Sequence, residues 1–273
     1  MSVRRASLAA TLTWVGVGLF VLVLLGVLAS VVLSSLSTGW RSGWLPDGYT
    51  TAQYSRAWSE FGLGHVLLVT VEVGILVVAL SLALGVPAAY ALARRDFPGK
   101  RLVMLAFLLP VLLPPMSYGI QLATTLYKVH LAGSLAGVVV ANLVPTIPFV
   151  ILTMTPFIEQ LDRNVESAAR MCGAGTRQVL LRVLAPLVLP GALAAGVLVL
   201  VRTVGMFELT FLTAGADSQT LVVALYNAAS TPGERPAQLI DAMATIYMAT
   251  NAVLLALALR FVNPTRMVAR IGD

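Results

Sequence analysis

Six long stretches of almost uninterrupted apolar residues divide this chain, and short polar segments separate them. A helix needs about 20 mainly apolar residues to cross a bilayer, because hydrocarbon offers no hydrogen-bond partner to an open backbone. The pattern therefore predicts an all-α membrane protein with six transmembrane helices. The predicted helices cover residues 11–35, 64–93, 102–124, 135–157, 187–211 and 239–262.

The first apolar stretch begins after Arg4 and Arg5, as the core of a secretory signal would. It is well beyond the roughly 7 to 15 residues of such a core, so we expect an uncleaved first helix. Prolines lie within or at the ends of several predicted helices, and membrane bundles tolerate them by kinking. We therefore expect kinked helices around a cavity.

Composition supports a membrane location, since 58% of the residues are hydrophobic, 11% are charged and the mean hydropathy is +0.90. The net charge of +6 falls mainly between the apolar stretches, so it does not indicate nucleic-acid binding. Cys172 is the only cysteine, so the chain has no intrachain disulfide and no Cys/His cluster with metal-ligand spacing. We expect no bound metal.

Lys and Arg are distributed unevenly between the two sides of the predicted bundle. With the N-terminus inside, 13 of them lie on the inner side and four on the outer side, and Arg202 lies within the membrane. Because an excess of basic residues marks the cytoplasmic side, both termini are predicted to be cytoplasmic. The inner residues are Arg4, Arg5, Arg94, Arg95, Lys100, Arg101, Arg163, Arg170, Arg177, Arg182, Arg260, Arg266 and Arg270, and the outer ones are Arg41, Arg56, Lys128 and Arg235.

The longest predicted cytoplasmic loop, residues 158–186, contains small and apolar side chains on both sides of Gly173 and Gly175. Helical spacing of the apolar residues after the glycines predicts two short helices joined by a turn. Such a shape suits docking to another protein. A basic amphipathic segment lying on anionic lipid headgroups is the alternative. The residues concerned are Ala168, Ala169, Met171 and Cys172 before the turn and Val179, Leu180, Val183 and Leu184 after it.

The order Ala168-Ala169, three residues, Gly173, nine residues, Val183, one residue, Pro186 resembles the cytoplasmic "EAA" loop of permease subunits in bacterial ATP-binding-cassette importers. The layout agrees too, with the outer segment WLPDGYTTAQYSRAW after the first helix and the inner turn ARRDFPGK after the second. On these features the chain is identified as a member of that family over essentially its full length.

One position departs from the family's pattern. Ser167 stands where the family usually has glutamate, and Glu166 comes one position earlier, about 100° away around a helix. Glu166 therefore does not simply replace that carboxylate, and the ion pairing with the ATPase stays open. The residues that the resemblance assigns to ATPase coupling are Glu166, Ser167, Ala168, Ala169, Gly173, Ala174, Val183 and Pro186.

The resemblance implies a type I importer permease, a non-catalytic subunit of the bacterial cytoplasmic (inner) membrane that moves a small solute by alternating access. Its 158–186 loop would sit in a cleft of a separate ATPase, which binds the ATP and Mg. This chain contains no GxxxxGKS or GxxxxGKT phosphate loop and should bind no cofactor itself. The implied partners are a second permease subunit, homologous or identical, two ATP-binding subunits, an extracytoplasmic substrate-binding protein and membrane lipid, with no nucleic acid.

The predicted organisation is an N-terminal helix with an outer loop (1–63), a permease core (64–262) and a cytoplasmic tail (263–273). The outer loops at 36–63 and 212–238 would form the landing surface for the binding protein. The segments YTTAQYSRAW, PTIPFVILTMTPFIEQLD and FELTFLTAG most resemble permeases of spermidine/putrescine-type importers. A carbohydrate importer is the alternative within the family. The resemblance leaves the cargo open, and we expect a polyamine or another small polar solute.

Two other classes of protein also form polytopic helix bundles. Secondary transporters commonly carry internal repeats or intramembrane ion relays, and six helices are few for that class. A membrane-embedded enzyme needs a carboxylate pair or a metal triad at one depth, which Glu72 alone does not provide. Co-purification of an ATPase would discriminate the three classes.

Several polar residues within the predicted helices form a candidate translocation path. Glu72 and Arg202 lie near the midplane by residue counting, and Glu208 lies closer to the outer interface. Because an unpaired charge is expensive in hydrocarbon, Glu72 and Arg202 should either pair with each other or face a watery cavity. The full candidate set is Glu72, Tyr118, Gln121, Asn142, Arg202, Glu208, Tyr247 and Asn251.

Overall fold

A computed structural model of the chain describes residues 2–40, 43, 45–231 and 236–261, with side chains described from residue 10 to residue 260. The predicted tail at 263–273 lies outside the described residues. The helices are α1 (Ser2–Ser35), α2 (Ala52–Glu60), α3 (Leu63–Arg94), α4 (Lys100–Leu112), α5 (Pro115–Lys128), α6 (Leu135–Glu159), α7 (Arg163–Met171), α8 (Thr176–Gln178), α9 (Ala185–Val204), α10 (Glu208–Thr213), α11 (Leu221–Ser230) and α12 (Ala237–Phe261). A π-helix (Val179–Leu184), a 3₁₀ turn (Ala216–Ser218) and two short strands, β1 (Ser37–Gly39) and β2 (Gly48–Tyr49), complete the described elements.

Five of the described helices are long and apolar enough to cross a membrane, and a bent pair brings the number to six if it counts as one span. This confirms a membrane protein built from helical spans in the predicted order, with only two short strands besides among the described residues. The fifth predicted helix has different bounds in the structure. The span begins at Thr176 and ends at Val204, and Gly205 caps it. The spans are Ala10–Ser35, Leu63–Arg94, Leu135–Glu159, Thr176–Val204 and Ala237–Arg260, with the bent pair Lys100–Leu112 and Pro115–Lys128.

The third predicted span is not one helix, because α4 and α5 meet at an angle of 96°. Leu113 has an extended backbone (φ −71°, ψ 139°), as expected for a residue that precedes proline. Pro114 lacks the amide hydrogen that would bond the carbonyl of Pro110 in a continuous helix. The hydroxyl of Tyr118 donates to that carbonyl instead, at 3.5 Å. The double proline therefore breaks the span, and a side chain replaces the missing backbone donor.

The chain divides into two compact units, one formed by Met1–Leu63 with Leu225–Ala249 and the other by Gly64–Ala224 with Thr250–Asp273. In the first unit, β1 pairs with β2 in antiparallel register, with Ser37 opposite Tyr49. The buried hydroxyl of Ser35 lies 2.7 Å from that of Tyr54, and Ser34 donates to Asp241 at 2.5 Å. In the most apolar window of 18 residues within the span Ala10–Ser35, no residue is buried, so the apolar side chains of that window remain available to lipid or to another chain.

In the second unit, α3, α6 and α9 pack around a continuous apolar core. Small residues let these helices approach closely, as is common in membrane bundles. A Cβ atom at Gly85 on α3 would lie only 2.7 Å from Cγ1 of Val150 on α6, and one at Gly191 on α9 would meet the ring of Phe157 at 2.6 Å. The central buried residues are Val69, Val73, Val77, Val138, Val150, Met154, Ile158, Val188, Ala195 and Val199.

The contact between Gly85 and Val150 gives a test of this packing. Gly85→Ala should destabilise the purified protein by about 1 to 3 kcal/mol, because the β-branched valine cannot move aside without strain. Val150→Ala should partly restore the stability of the Gly85→Ala variant by making room for the added methyl group. Gly16→Ala is the matched control, because nothing lies within 4 Å of its added methyl group. Thermal unfolding in detergent measures the effect, and equal midpoints for the two single glycine variants would contradict the packing.

Candidate functional site

The predicted cytoplasmic loop at 158–186, which we call the docking segment, folds around the short helix α7. The side chain of Asp162 caps α7 by accepting a hydrogen bond from the amide of Asn164 at 2.9 Å. The helix ends at Met171, and Gly173, two residues later, adopts a left-handed conformation with φ +84°. After this turn, α8 and the π-helix run directly into α9. The second short helix predicted for the loop is therefore continuous with a membrane span.

Glu166 is buried on the inner side of α7, with 8% of its surface exposed. Nε of Arg94, at the end of α3, donates to Oε1 of Glu166 at 2.7 Å. The hydroxyl of Tyr90, one turn earlier on α3, donates to Oε2 at 2.8 Å. Both carboxylate oxygens are thus bonded within the chain, and the Glu166 side chain faces the end of α3.

Two further hydrogen bonds join α7 and its entry turn to the same end of α3. Nη2 of Arg94 donates to the carbonyl of Leu161 at 3.0 Å, and Nη2 of Arg163 donates to the carbonyl of Ala93 at 3.2 Å. Within the described residues, Nη1 of Arg94 is buried without a hydrogen-bond partner. The buried positive charge of Arg94 is therefore compensated by the Glu166 carboxylate and by the carbonyl of Leu161.

The opposite side of α7 is exposed. It carries Asn164, Ser167, Ala168 and Met171, which we call the docking face, and 84% of the Met171 surface is accessible. Ser167, which holds the position of the family's glutamate, lies on this exposed face and not on the buried side that carries Glu166. The face presents an amide, a hydroxyl, a methyl group and a thioether, and no carboxylate.

The remaining predicted coupling residues lie around this helix. Ala169 and Ala174 are half-buried, Gly173 and Pro186 are exposed, and Val183 is half-buried within the π-helix. Nothing lies within 4 Å of a Cβ atom built at Gly173, so the protein itself leaves room there. The open turn adjoins the docking face along the chain.

The predicted path residues have varied surroundings. Asn142 is fully buried, and its amide donates to the carbonyl of Val138 at 2.9 Å and to the hydroxyl of Thr210 on α10 at 3.2 Å. Glu72 and Gln121 are exposed on α3 and α5. Asn251 lies half-buried on the part of α12 that belongs to this unit. Tyr247, on the part of α12 in the first unit, is also half-buried.

Tyr118, Arg202 and Glu208 lie on α5, α9 and α10 of the second unit. Arg202 lies in the last turn of α9 and Glu208 in the first turn of α10, so each charge is at the helix end that favours it. The Arg202 guanidinium also lies over the ring of Phe149, 5.6 Å from its centre. Among the described residues, no ion pair joins Glu72 to Arg202.

Sequence reasoning did not connect Glu166 with Arg94 and Tyr90. Arg94 was counted only for orientation, and Tyr90 was not singled out. A usable signal was present, because Glu166 is an acidic residue in a basic loop and Arg94 ends a predicted helix on the same side of the membrane. Opposite charges at one interface are candidates for pairing, but their separation of 72 residues concealed the contact.

Long apolar helices, with an exposed segment fixed to the end of one of them, fit the membrane subunit of a transport system. The chain belongs to the family of binding-protein-dependent transport system inner membrane components, whose profile matches residues 81–267. The family resemblance read from the sequence is confirmed.

Two curated relatives show the extent of the similarity. The trehalose transport system permease protein SugB of Mycobacterium tuberculosis is 31% identical over 205 residues, which cover 74% of this chain and 73% of that protein. The molybdenum transport system permease protein ModB of Escherichia coli is 31% identical over 183 residues, which cover 61% of this chain and 80% of that protein. This chain is therefore a non-catalytic, multi-pass permease subunit of an importer, and not a secondary transporter or a membrane enzyme.

The fold is also found in a solved structure. A chain in the crystal structure of a bacterial ABC transporter involved in the import of the acidic polysaccharide alginate matches with a TM-score of 0.78 and 18% identity. The match covers 95% of this chain and 98% of that one. The predicted type I permease fold is confirmed.

Substitutions at Gly173 can distinguish a requirement for a left-handed backbone from a requirement for empty space at the turn. Gly173→Asn should associate with the ATP-binding subunit within about twofold of the unmodified chain, because asparagine tolerates a positive φ. Gly173→Trp should insert into the membrane but associate at least about tenfold less, because its ring fills the open turn; a left-handed tryptophan also costs about 1 to 2 kcal/mol. Gly173→Ala controls for strain without bulk. Co-purification measures association, and equal retention by the alanine and tryptophan variants would exclude a spatial requirement.

The relation between Glu72 and Arg202 gives a second test at this site. Because they form no ion pair, the effects of Glu72→Gln and Arg202→Gln on thermal stability should add to within about 0.5 kcal/mol in the double variant. Thermal unfolding of the four proteins in detergent gives the coupling. Rescue of one single variant by the other substitution would instead show that the two charges stabilise each other.

Proposed function

We propose that the docking segment seats this chain in a cleft of a cytoplasmic ATP-binding subunit, with α7 as the inserted helix. The observation that carries the proposal is the two-sided character of α7. One side is fixed to α3 by the buried Glu166–Arg94 ion pair, and the other presents the exposed docking face. A helix held in one orientation, with small side chains turned outward, suits close approach by another protein.

The composition of the docking face indicates what the partner surface should contain. Met171 is a large, flexible apolar side chain, and burying it against a partner would contribute about 1.5 to 3 kcal/mol. Arg170 and Arg177 are exposed near it along the segment. With Ser167 in place of the usual glutamate, the contact does not rely on a carboxylate from this face. The matching cleft should therefore be apolar at its centre and acidic at its rim.

The complete importer should contain a second permease subunit, two ATP-binding subunits and an extracytoplasmic binding protein. The family's dependence on a binding protein supports the last of these partners. The uncovered span Ala10–Ser35 supports a further membrane partner besides lipid. We assign the outer segments at 36–63 and 212–238 to the binding protein's landing surface, and ATP with Mg to the ATP-binding subunits.

The cargo is proposed to be a small polar solute. Three segments of the sequence support the spermidine/putrescine-type branch, whereas the relatives carry the names of trehalose and molybdenum systems. A carbohydrate therefore stands as the second candidate, favoured by the trehalose relative. In the proposed path, Glu72 and Glu208 suit a cationic or hydroxyl-rich solute, and Arg202 suits an anionic one.

Substitutions on the docking face test the assembly. Ala168→Trp and Met171→Asp should each reduce co-purification of the ATP-binding subunit by at least about tenfold, since a bulky ring or a buried unpaired charge would disrupt a close apolar contact. The membrane abundance of this chain should stay unchanged, because both side chains are exposed.

Asp96→Trp is the matched control for these variants, because Asp96 is exposed on the same side of the membrane but lies outside the docking segment. It should retain the ATP-binding subunit. Full retention by both docking-face variants would overturn the proposal.

A further inference from the structure

Chain connectivity ties α7 to α6 and to α9, but it leaves α3 unattached to the docking segment. α6 ends at Glu159, three residues before the cap of α7, and the π-helix leads from the segment into α9. α3 reaches the segment through Arg94 and Tyr90, which lie 72 and 76 residues before Glu166, and through the Arg163–Ala93 hydrogen bond. Any displacement of α7 can therefore reach α3 directly only through these non-covalent contacts.

We propose that Glu166, Arg94 and Tyr90 form a mechanical link, the α7–α3 link, which transmits displacement of the docking segment to α3. Glu166 is then a positioning residue that acts within this chain and not a contact to the ATP-binding subunit. This inference rests on the proposed function, because it assumes that an ATP-binding subunit moves α7.

The geometry of the α7–α3 link suits transmission of a displacement, and not only attachment of one helix to the other. The side chains of Arg94 and Glu166 are only 9% and 11% exposed, so water screens their attraction weakly. The carboxylate is held by two donors that lie one turn apart on α3, which restricts rotation of α7 as well as separation. By contrast, the Lys100–Asp96 pair nearby has an aspartate that is 86% exposed, as is typical of a weak surface contact.

α3 is suited to carry the displacement across the membrane. It has 32 residues, which corresponds to a length of about 48 Å. Near its far end, the Thr70 hydroxyl accepts from the amide of Leu221 at 2.9 Å, and Nε2 of His65 lies 3.0 Å from the carbonyl of Asp217. Both partners belong to the predicted landing surface at 212–238. The α7–α3 link and α3 thus connect the docking segment with an outer segment of the same unit.

The experiment follows α3 directly and needs no knowledge of the cargo. In a Cys172→Ser background, Leu68→Cys places a bimane label on α3, where the native side chain is 71% exposed. The permease complex, with its ATP-binding subunits, is reconstituted in liposomes, and the change in bimane fluorescence on adding ATP and vanadate is measured. ATP-binding subunit retention and ATP hydrolysis are recorded in parallel.

Glu166→Gln keeps the size of the side chain and leaves the docking face intact, so ATP-binding subunit retention and ATP hydrolysis should stay within about twofold of the unmodified complex. Its bimane response should fall at least fivefold. The charge exchange Arg94→Glu with Glu166→Arg should regain at least half of the response. Asp96→Asn is the matched control, since it removes the exposed ion pair on the same side and should respond like the unmodified complex.

An undiminished bimane response in Glu166→Gln would overturn the link, as would a loss that only follows the amount of assembled complex. If Glu166→Gln does not accumulate, Tyr90→Phe removes one hydrogen bond while keeping the ring. A twofold or greater loss of response at full assembly then supports the link, and an unchanged response overturns it. Failure of the unmodified chain to retain any ATP-binding subunit would instead refute the proposed docking itself.

Discussion

Hydrocarbon offers no partner to a backbone amide or carbonyl, and most of this architecture follows from that constraint. Each candidate span is helical, and several hydroxyl side chains inside the spans bond to a carbonyl of their own helix. The hydroxyls of Thr146 and Thr155, for example, each donate to the carbonyl four residues earlier in α6. At the break between α4 and α5, the Tyr118 hydroxyl serves the carbonyl that Pro114 leaves without a donor. Interactions between distant residues are thus needed where a proline leaves a carbonyl without its donor or where a charge is buried.

The same constraint explains how much of the fold could be predicted. Apolar length alone located the spans, because any stretch of that length must be helical in a bilayer. It did not locate the break at Leu113 and Pro114, since a proline can kink a membrane helix or end it, and the outcome depends on neighbouring groups. It also placed the end of the fifth span too late, because apolar residues continue past Gly205 into the separate helix α10.

The docking segment was predictable as a motif but not as a geometry. The spacing of Ala168, Ala169 and Gly173 identifies the family, and the helical period indicates that positions 166 and 167 point in different directions. Arg94 and Tyr90, which lie far away in sequence, determine which of these two side chains points into the protein. Local patterns do not encode such a pairing. The departure at Ser167 therefore acquires a structural meaning only once Glu166 is seen to be engaged inside the chain.

The docking segment is joined to the membrane helices by connections of different kinds. Towards α9 it continues through a π-helix, a rare interruption of α-helical hydrogen bonding that often occurs at functional positions. Towards α3 it is held by a buried ion pair, and breaking such a pair is costly because the remaining charge is left without compensation. If a cytoplasmic partner displaced α7, the irregular turn would be the easier place for deformation. The ion pair would then keep α3 moving with α7 while α9 adjusts, so relative motion of the membrane helices could arise from a single displaced segment.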